Sequence, residues 1–172
     1  MKKQWLYFLV VFALPTLGIL TWWGLFSTAA IEVTERGPYR YAYLSAEGPY
    51  SKLVTKRGEV EGVLRQQGVE LKRSITIIFD DPRTTDTDRR RARTGFLIND
   101  GFTPKPPLEV DTVPRRRVIS ASIKAHPVFA YGKAYGALLG YTEQRNMTLH
   151  LPTVELYDAS VLTVEMPLET NP

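Results

Sequence analysis

The chain has no cysteine and only two histidines, His126 and His150, in its 172 residues. The first absence excludes a disulfide framework, a thiolate zinc site, an iron–sulfur cluster and a cysteine nucleophile. The second leaves little material for a histidine-rich metal centre. No G-x-S-x-G, H-E-x-x-H or phosphate-cradling glycine loop occurs. Charge is also missing locally: residues 4–31 carry none, so all the charged side chains fall elsewhere. What is present is ordinary, with 44% hydrophobic residues, 12 Gly and 12 Pro, enough apolar material for a core and no sign of low complexity. The length suits one folded domain.

Trp5 to Phe26 is a run of 22 uncharged residues, and about 20 suffice to cross a hydrocarbon core as a helix. Lys2 and Lys3 precede it, and Trp5, Trp22 and Trp23 stand near its ends, where indoles favour the interface. Pro15 is tolerated in such a helix. A cleaved signal peptide is the competing reading, with Thr28-Ala29-Ala30 as a weak cleavage site, but its apolar region would be shorter, about 7–15 residues. The expectation is therefore a transmembrane anchor over residues 1–30 and a domain over 31–172. The two lysines predict a single-pass topology with the N-terminus cytoplasmic and the body on the extracytoplasmic side.

From Ile31 the periodicity changes. Tyr39, Tyr41 and Tyr43 alternate with Arg40, Ala42 and Leu44 as in a strand. Gly48-Pro49 interrupts, and Pro49 or Tyr50 to Gln67 reads as a helix ending near Gly68. Ser74–Phe79 and Arg91–Ile98 read as strands, and Thr103–Pro114 as a Pro-rich connection. The order then recurs: a strand over Arg117–Ile123, His126-Pro127 at the helix entry, a helix over Phe129–Gln144, and strands over Thr153–Tyr157 and Val161–Met166 joined by an Asp158-Ala159-Ser160 turn. This predicts an α+β fold with a duplicated strand-helix-strand-strand unit, pseudo-two-fold symmetry and a groove between the copies. Gly58 and Gly62 in the first helix, and Gly132, Gly136 and Gly140 in the second, recur every four residues, which predicts close packing along one helix face.

Alternation within a strand sorts core from candidate site. Val154 and Leu156 oppose Thr153, Glu155 and Tyr157, and Leu162, Val164 and Met166 oppose Thr163 and Glu165. Packing the apolar sets under the helices leaves Glu155 and Tyr157 on the other face, together with Tyr39, Tyr41 and Tyr43. A carboxylate among tyrosines suits a cationic or amphipathic ligand, while a solvent-washed face is the plainer account. The Arg89-Arg90-Arg91, Arg93 and Arg115-Arg116-Arg117 clusters read first as solvated strand ends, then as a phospholipid patch, and last as a nucleic-acid site, since the body has 20 basic against 18 acidic residues. Asp80, Asp81, Asp86 and Asp88 lack the spacing of a calcium loop, so no metal and no cofactor are expected. His126 reads as a polar helix entry, and Asn146-Met147-Thr148 is a formal glycosylation sequon.

The duplicated order, with Glu47-Gly48-Pro49-Tyr50, the IIFDDP run at Ile77–Pro82 and VELY at Val154–Tyr157, resembles the GyrI-like domain, the effector-binding module of many bacterial transcription activators. The resemblance covers about Ile31 to Leu168. It implies a small, often cationic or amphipathic ligand held between the repeats by a glutamate of the second repeat, matched here by Glu155, with Tyr157 beside it and the first-strand tyrosines as a weaker match. An apolar segment before such a domain is also similar to the testis-expressed autophagy receptor of the endoplasmic reticulum. That receptor's activity resides in a long tail, whereas this sequence ends at Pro172, and it is not carried over. The activators' DNA-reading half is replaced here by the apolar segment, so no nucleic acid is expected. Two alternatives stay open: an adaptor docking a membrane-protein partner through a vestigial groove, and a small-molecule hydrolase using Glu155 as general base.

Overall fold

The computed structural model describes residues 2–81, 83–148 and 150–168. Pro82 of the IIFDDP motif and the last residues before Pro172 lie outside them. The elements run α1 (Lys2–Trp22), β1 (Ala30–Arg36), β2 (Tyr39–Glu47), α2 (Ser51–Gln66), β3 (Ser74–Ile78), β4 (Arg91–Leu97), β5 (Glu109–Val113), β6 (Arg116–Lys124), α3 (Pro127–Glu143), β7 (Thr153–Asp158) and β8 (Val161–Pro167), with a short 3-10 turn at Thr87–Arg89. The repeats are β2-α2-β3-β4 and β6-α3-β7-β8. Each helix begins where a Pro follows a break: His126 accepts the Val128 amide through Nδ1 at 3.3 Å and so caps α3, as its place in the sequence predicts. The two-residue turn between β7 and β8 has Ala159 and Ser160 at φ 42° and 80°, the left-handed pair that a tight hairpin requires.

The eight strands form one sheet in the order β1-β6-β8-β7-β3-β4-β2-β5, antiparallel throughout. The repeats meet at β3 and β7, with Thr76 opposite Glu155 at the middle of that pairing. β1 precedes the first repeat yet edges the second, and β5 precedes the second yet edges the first. Both edge strands are missing from the sequence reading. The β1–β2 link is only Gly37-Pro38, while the two strands stand six places apart in the sheet. In a flat sheet that would be roughly 29 Å at about 4.8 Å per strand, and two residues reach no more than about 11 Å. The sheet therefore curls. At the closure Gly37 has φ +91°, and a Cβ there would lie 2.8 Å from the Pro114 carbonyl oxygen of the matching β5–β6 link, so this is a position for glycine.

Both helices lie on the outer face of the curl. α2 packs Val60 and Leu64 on Ala42 and Phe96, and α3 packs Ala130, Ala134 and Leu138 on Ile119, Ala121, Leu162 and Val164. The inner face holds Tyr41, Tyr43, Ile75, Ile77, Val154 and Leu156. The helix glycines do not mediate close packing: a Cβ added at Gly58, Gly62, Gly132, Gly136 or Gly140 meets nothing within 4 Å. The close approach of α3 comes from its alanines instead. The tightest glycine is Gly95 in β4, where a Cβ would lie 1.8 Å from the Ala42 carbonyl oxygen.

α1 ends at Trp22, and the turn after it has Gly24 at φ +91°, whereas the uncharged run continues to Phe26. The helical part of that run, Trp5–Trp22, is about 27 Å long, short of a hydrocarbon core of roughly 30 Å. Among the described residues no helix is long and apolar enough to cross a membrane, which corrects the expectation of a spanning helix over Trp5–Phe26. Most of the large apolar side chains of α1, among the described residues, are exposed. Its end is fastened to α3: Trp23 stacks on His126 with ring centroids 4.4 Å apart, the His126 amide donates to the Trp23 carbonyl at 2.8 Å, and Lys133 Nζ donates to the carbonyls of Gly24 (3.0 Å), Leu25 and Ser27 (2.6 Å).

Candidate functional site

A strand sends alternate side chains to opposite faces, and register decides which faces coincide. Glu155 stands opposite Val164, and Tyr157 opposite Leu162. Glu155 and Tyr157 therefore share the helix-bearing face with Leu162, Val164 and Met166, and it is Val154 and Leu156 that turn inward. The expectation that every apolar set lies under the helices, away from Glu155, is corrected by this register. The tyrosines part company with the glutamate for the same reason. Tyr41 and Tyr43 are buried on the inner face with Tyr39 packed against them, on the far side of the sheet from Glu155.

Between α2 and α3, above the β3–β7 seam, lies a cavity of about 690 Å³, within the range of small-molecule sites. Its floor is Thr76, Ile78, Thr153, Glu155 and Tyr157. The two helices wall it from opposite sides, α2 and its entry with Tyr50, Leu53, Val54 and Arg57, α3 with Pro127, Tyr131, Tyr135 and Leu139. Asp80, Asp81 and Arg83 of the β3–β4 loop and His150 and Leu151 before β7 form the rim. The frame is symmetric, but the chemistry is not.

Glu155 accepts a hydrogen bond from the Tyr135 hydroxyl at 2.6 Å. Burial raises its carboxyl to about 7, against the opposing effects of that hydrogen bond and of the Arg57 charge. Burial likewise raises the phenols of Tyr135, Tyr131 and Tyr50, with the nearby Glu155 adding to each shift, so all three are neutral donors. The Tyr50 hydroxyl is buried and has no hydrogen-bond partner among the described residues. At the rim, Asp80 pairs with Arg91 and Asp81 with Arg83, each at 2.9 Å. These contacts lower both carboxyls. An apolar chamber with one carboxyl, one guanidinium and several hydroxyls can hold an amphipathic molecule by its polar end. Of the residues singled out from sequence, Glu155 and Tyr157 line it and Tyr39, Tyr41 and Tyr43 do not. Tyr50, Arg57, Thr76, Tyr131 and Tyr135 were missed. The signal for the last two was Tyr-x-x-x-Tyr at helical spacing, interleaved with the glycines.

Tyr39 instead joins a second polar group inside the curl. Its hydroxyl donates to Glu165 at 2.8 Å, and Arg116 donates to the other Glu165 oxygen at 3.1 Å. Burial pushes the Glu165 carboxyl up, and the Tyr39 phenol is raised to about 12. Tyr43 donates to Glu109 at 2.9 Å, and Arg93, over the Tyr43 ring, pairs with Asp111. Arg91, Arg93, Arg115 and Arg116 of the basic clusters are each engaged by a carboxylate. Among the described residues no group of three metal-ligating side chains comes together.

A duplicated sheet carrying one helix per repeat, with an acid-floored cavity between the helices, defines a small-molecule-binding α+β domain. Residues 29–167 match the model of the GyrI-like small molecule binding domain; the chain belongs to the GyrI-like family. No curated protein matches it. Among solved structures, the crystal structure of the EcmrR C-terminal domain is 15% identical, with TM-score 0.60, covering 81% of this chain and 96% of that one. The cryo-EM structure of the EcmrR–DNA complex in EcmrR-RPo is 12% identical, with TM-score 0.64, covering 96% of this chain and 67% of that one. An integron cassette protein from the mobile metagenome of Vibrio cholerae is 8% identical, with TM-score 0.57, covering 83% and 98%. At such identities the likeness is one of fold.

Proposed function

We propose that this chain is a membrane-attached GyrI-like module that captures a small amphipathic or cationic molecule in the cavity between α2 and α3. The observation that carries the reading is Glu155, a carboxyl set in the floor of an otherwise largely apolar chamber and held by Tyr135. An amphiphile places its apolar part against Leu53, Val54 and Leu139 and its polar end at Glu155. Tyr157 contributes to the floor. Calorimetric titration with a lipophilic amine tests this. Binding by the wild-type chain and a loss of about tenfold or more in Glu155→Gln supports it; equal affinity in both removes Glu155 from the site.

Attachment through α1 is supported by its exposed, all-round apolar surface, which a helix in water does not keep. Carbonate extraction of the full chain, beside a chain lacking residues 1–27, tests the attachment: α1 should keep the protein in the pellet.

The same glutamate favours a second reading. A carboxyl near 7 suits a general base, and a hydrolase would lose turnover in Glu155→Gln. A vestigial groove serving only as an adaptor surface is disfavoured by an open cavity.

A further inference from the structure

We infer that the cavity selects amphiphiles whose head carries both a positive and a negative or strongly accepting group, rather than simple cations. This rests on the cavity being the binding site, and it turns on Arg57 and Tyr50. Of the charged side chains around the cavity, Asp80 and Asp81 are taken by Arg91 and Arg83 at the rim. Glu155 and Arg57 remain, one acidic and one basic group, and the guanidinium stands near enough to Glu155 and to the Tyr131 hydroxyl to act on both. A ligand with only a positive head gains Glu155 but meets Arg57 as a like charge in a weakly screened chamber. A head that also carries a carboxylate or another strong acceptor engages Arg57, whose planar fork suits such groups. The orphaned Tyr50 hydroxyl in the same wall is a buried donor without an acceptor, and burial of an unsatisfied polar group is costly. An accepting atom on the ligand relieves it. Glu155 takes the positive part of the head, while Arg57 and Tyr50 take the accepting part.

The test uses three decyl amphiphiles below their micelle concentrations on the full chain: decyltrimethylammonium, decanoate and the zwitterion N-decyl-N,N-dimethylglycine. Affinities come from calorimetry, with circular dichroism to verify the fold. The zwitterion should bind about tenfold tighter than either singly charged chain. Arg57→Met should remove its advantage over the cation, and Arg57→Lys, which keeps the charge, should retain much of it. Tyr50→Phe should weaken the zwitterion more than the cation. A wild-type chain that prefers the cation, or an order unchanged in a folded Arg57→Met protein, overturns the inference while leaving the cavity as a binding site. Failure of all three to bind removes the cavity reading, and this inference with it.

Discussion

Thr76 and Glu155 face each other across the β3–β7 seam, a hydroxyl and a carboxyl at the same place in two copies of one unit. Thr76 shares a hydrogen bond with Thr94 at 3.2 Å and is satisfied within its own repeat. Glu155 looks to Tyr135 on the helix above. The duplication supplies the frame of the cavity, and this one substituted position supplies the carboxyl in its floor.

Glu155 makes the fold sensitive to pH in a defined direction. Its folded carboxyl sits near 7, against 4.5 for the free group, so the native state binds the proton more tightly. The associated stability is present below the unfolded value and lost as pH rises through 7. Thermal melts between about pH 5 and about pH 8 should show the wild type losing on the order of 1–3 kcal/mol more than Glu155→Gln across that window.

The Glu165 group answers to removal of one partner only. Glu165→Leu leaves Arg116 buried without its carboxylate, and urea titration should show a loss of about 3–5 kcal/mol. Replacing both, as Arg116→Met with Glu165→Leu, should recover part of that loss, because that pair of charges disappears together while Tyr39 and Arg36 still lose their acceptor.

The glycines divide sharply. Gly95→Ala drives a Cβ into the backbone of β2 and should yield no soluble folded protein. Gly136→Ala meets open space on α3 and should raise stability by up to about 1 kcal/mol through helix propensity. Expression yield and melting temperature check the pair.

Lys133 fastens the end of α1 to the body through three carbonyls. In Lys133→Met, hydrogen exchange at the Leu25 and Ser27 amides should accelerate, while protection in β6 and β8 stays as in the wild type. Equal acceleration throughout would mean that Lys133 supports the whole domain and not the junction.

Much of the domain could be read before any coordinates, because the repeated strands and helices carry strong periodicity and stop signals. β1 and β5 escaped because edge strands need bury little: Glu109, Val110, Asp111 and Thr112 are all exposed, and prolines on either side made β5 look like a linker. Alternation placed the members of each strand correctly but could not relate one strand to the next. That relation depends on register, which sets Glu155 beside Val164 and sends Tyr39 to Glu165. Tyr131 and Tyr135 were legible only as spacing, since their partner lies on a different element. Arg91, Arg93, Arg115 and Arg116 of the basic clusters pair with acids distant in sequence, such as Arg115 with Glu35.

The exchange of edge strands has a consequence for the chain as a physical object. Each half lends its leading strand to the other, so neither owns a complete sheet, and a cut in the segment before β5 would separate two pieces that can close only on one another. The sheet is complete only when both halves are present, and whatever settles between their helices touches both at once.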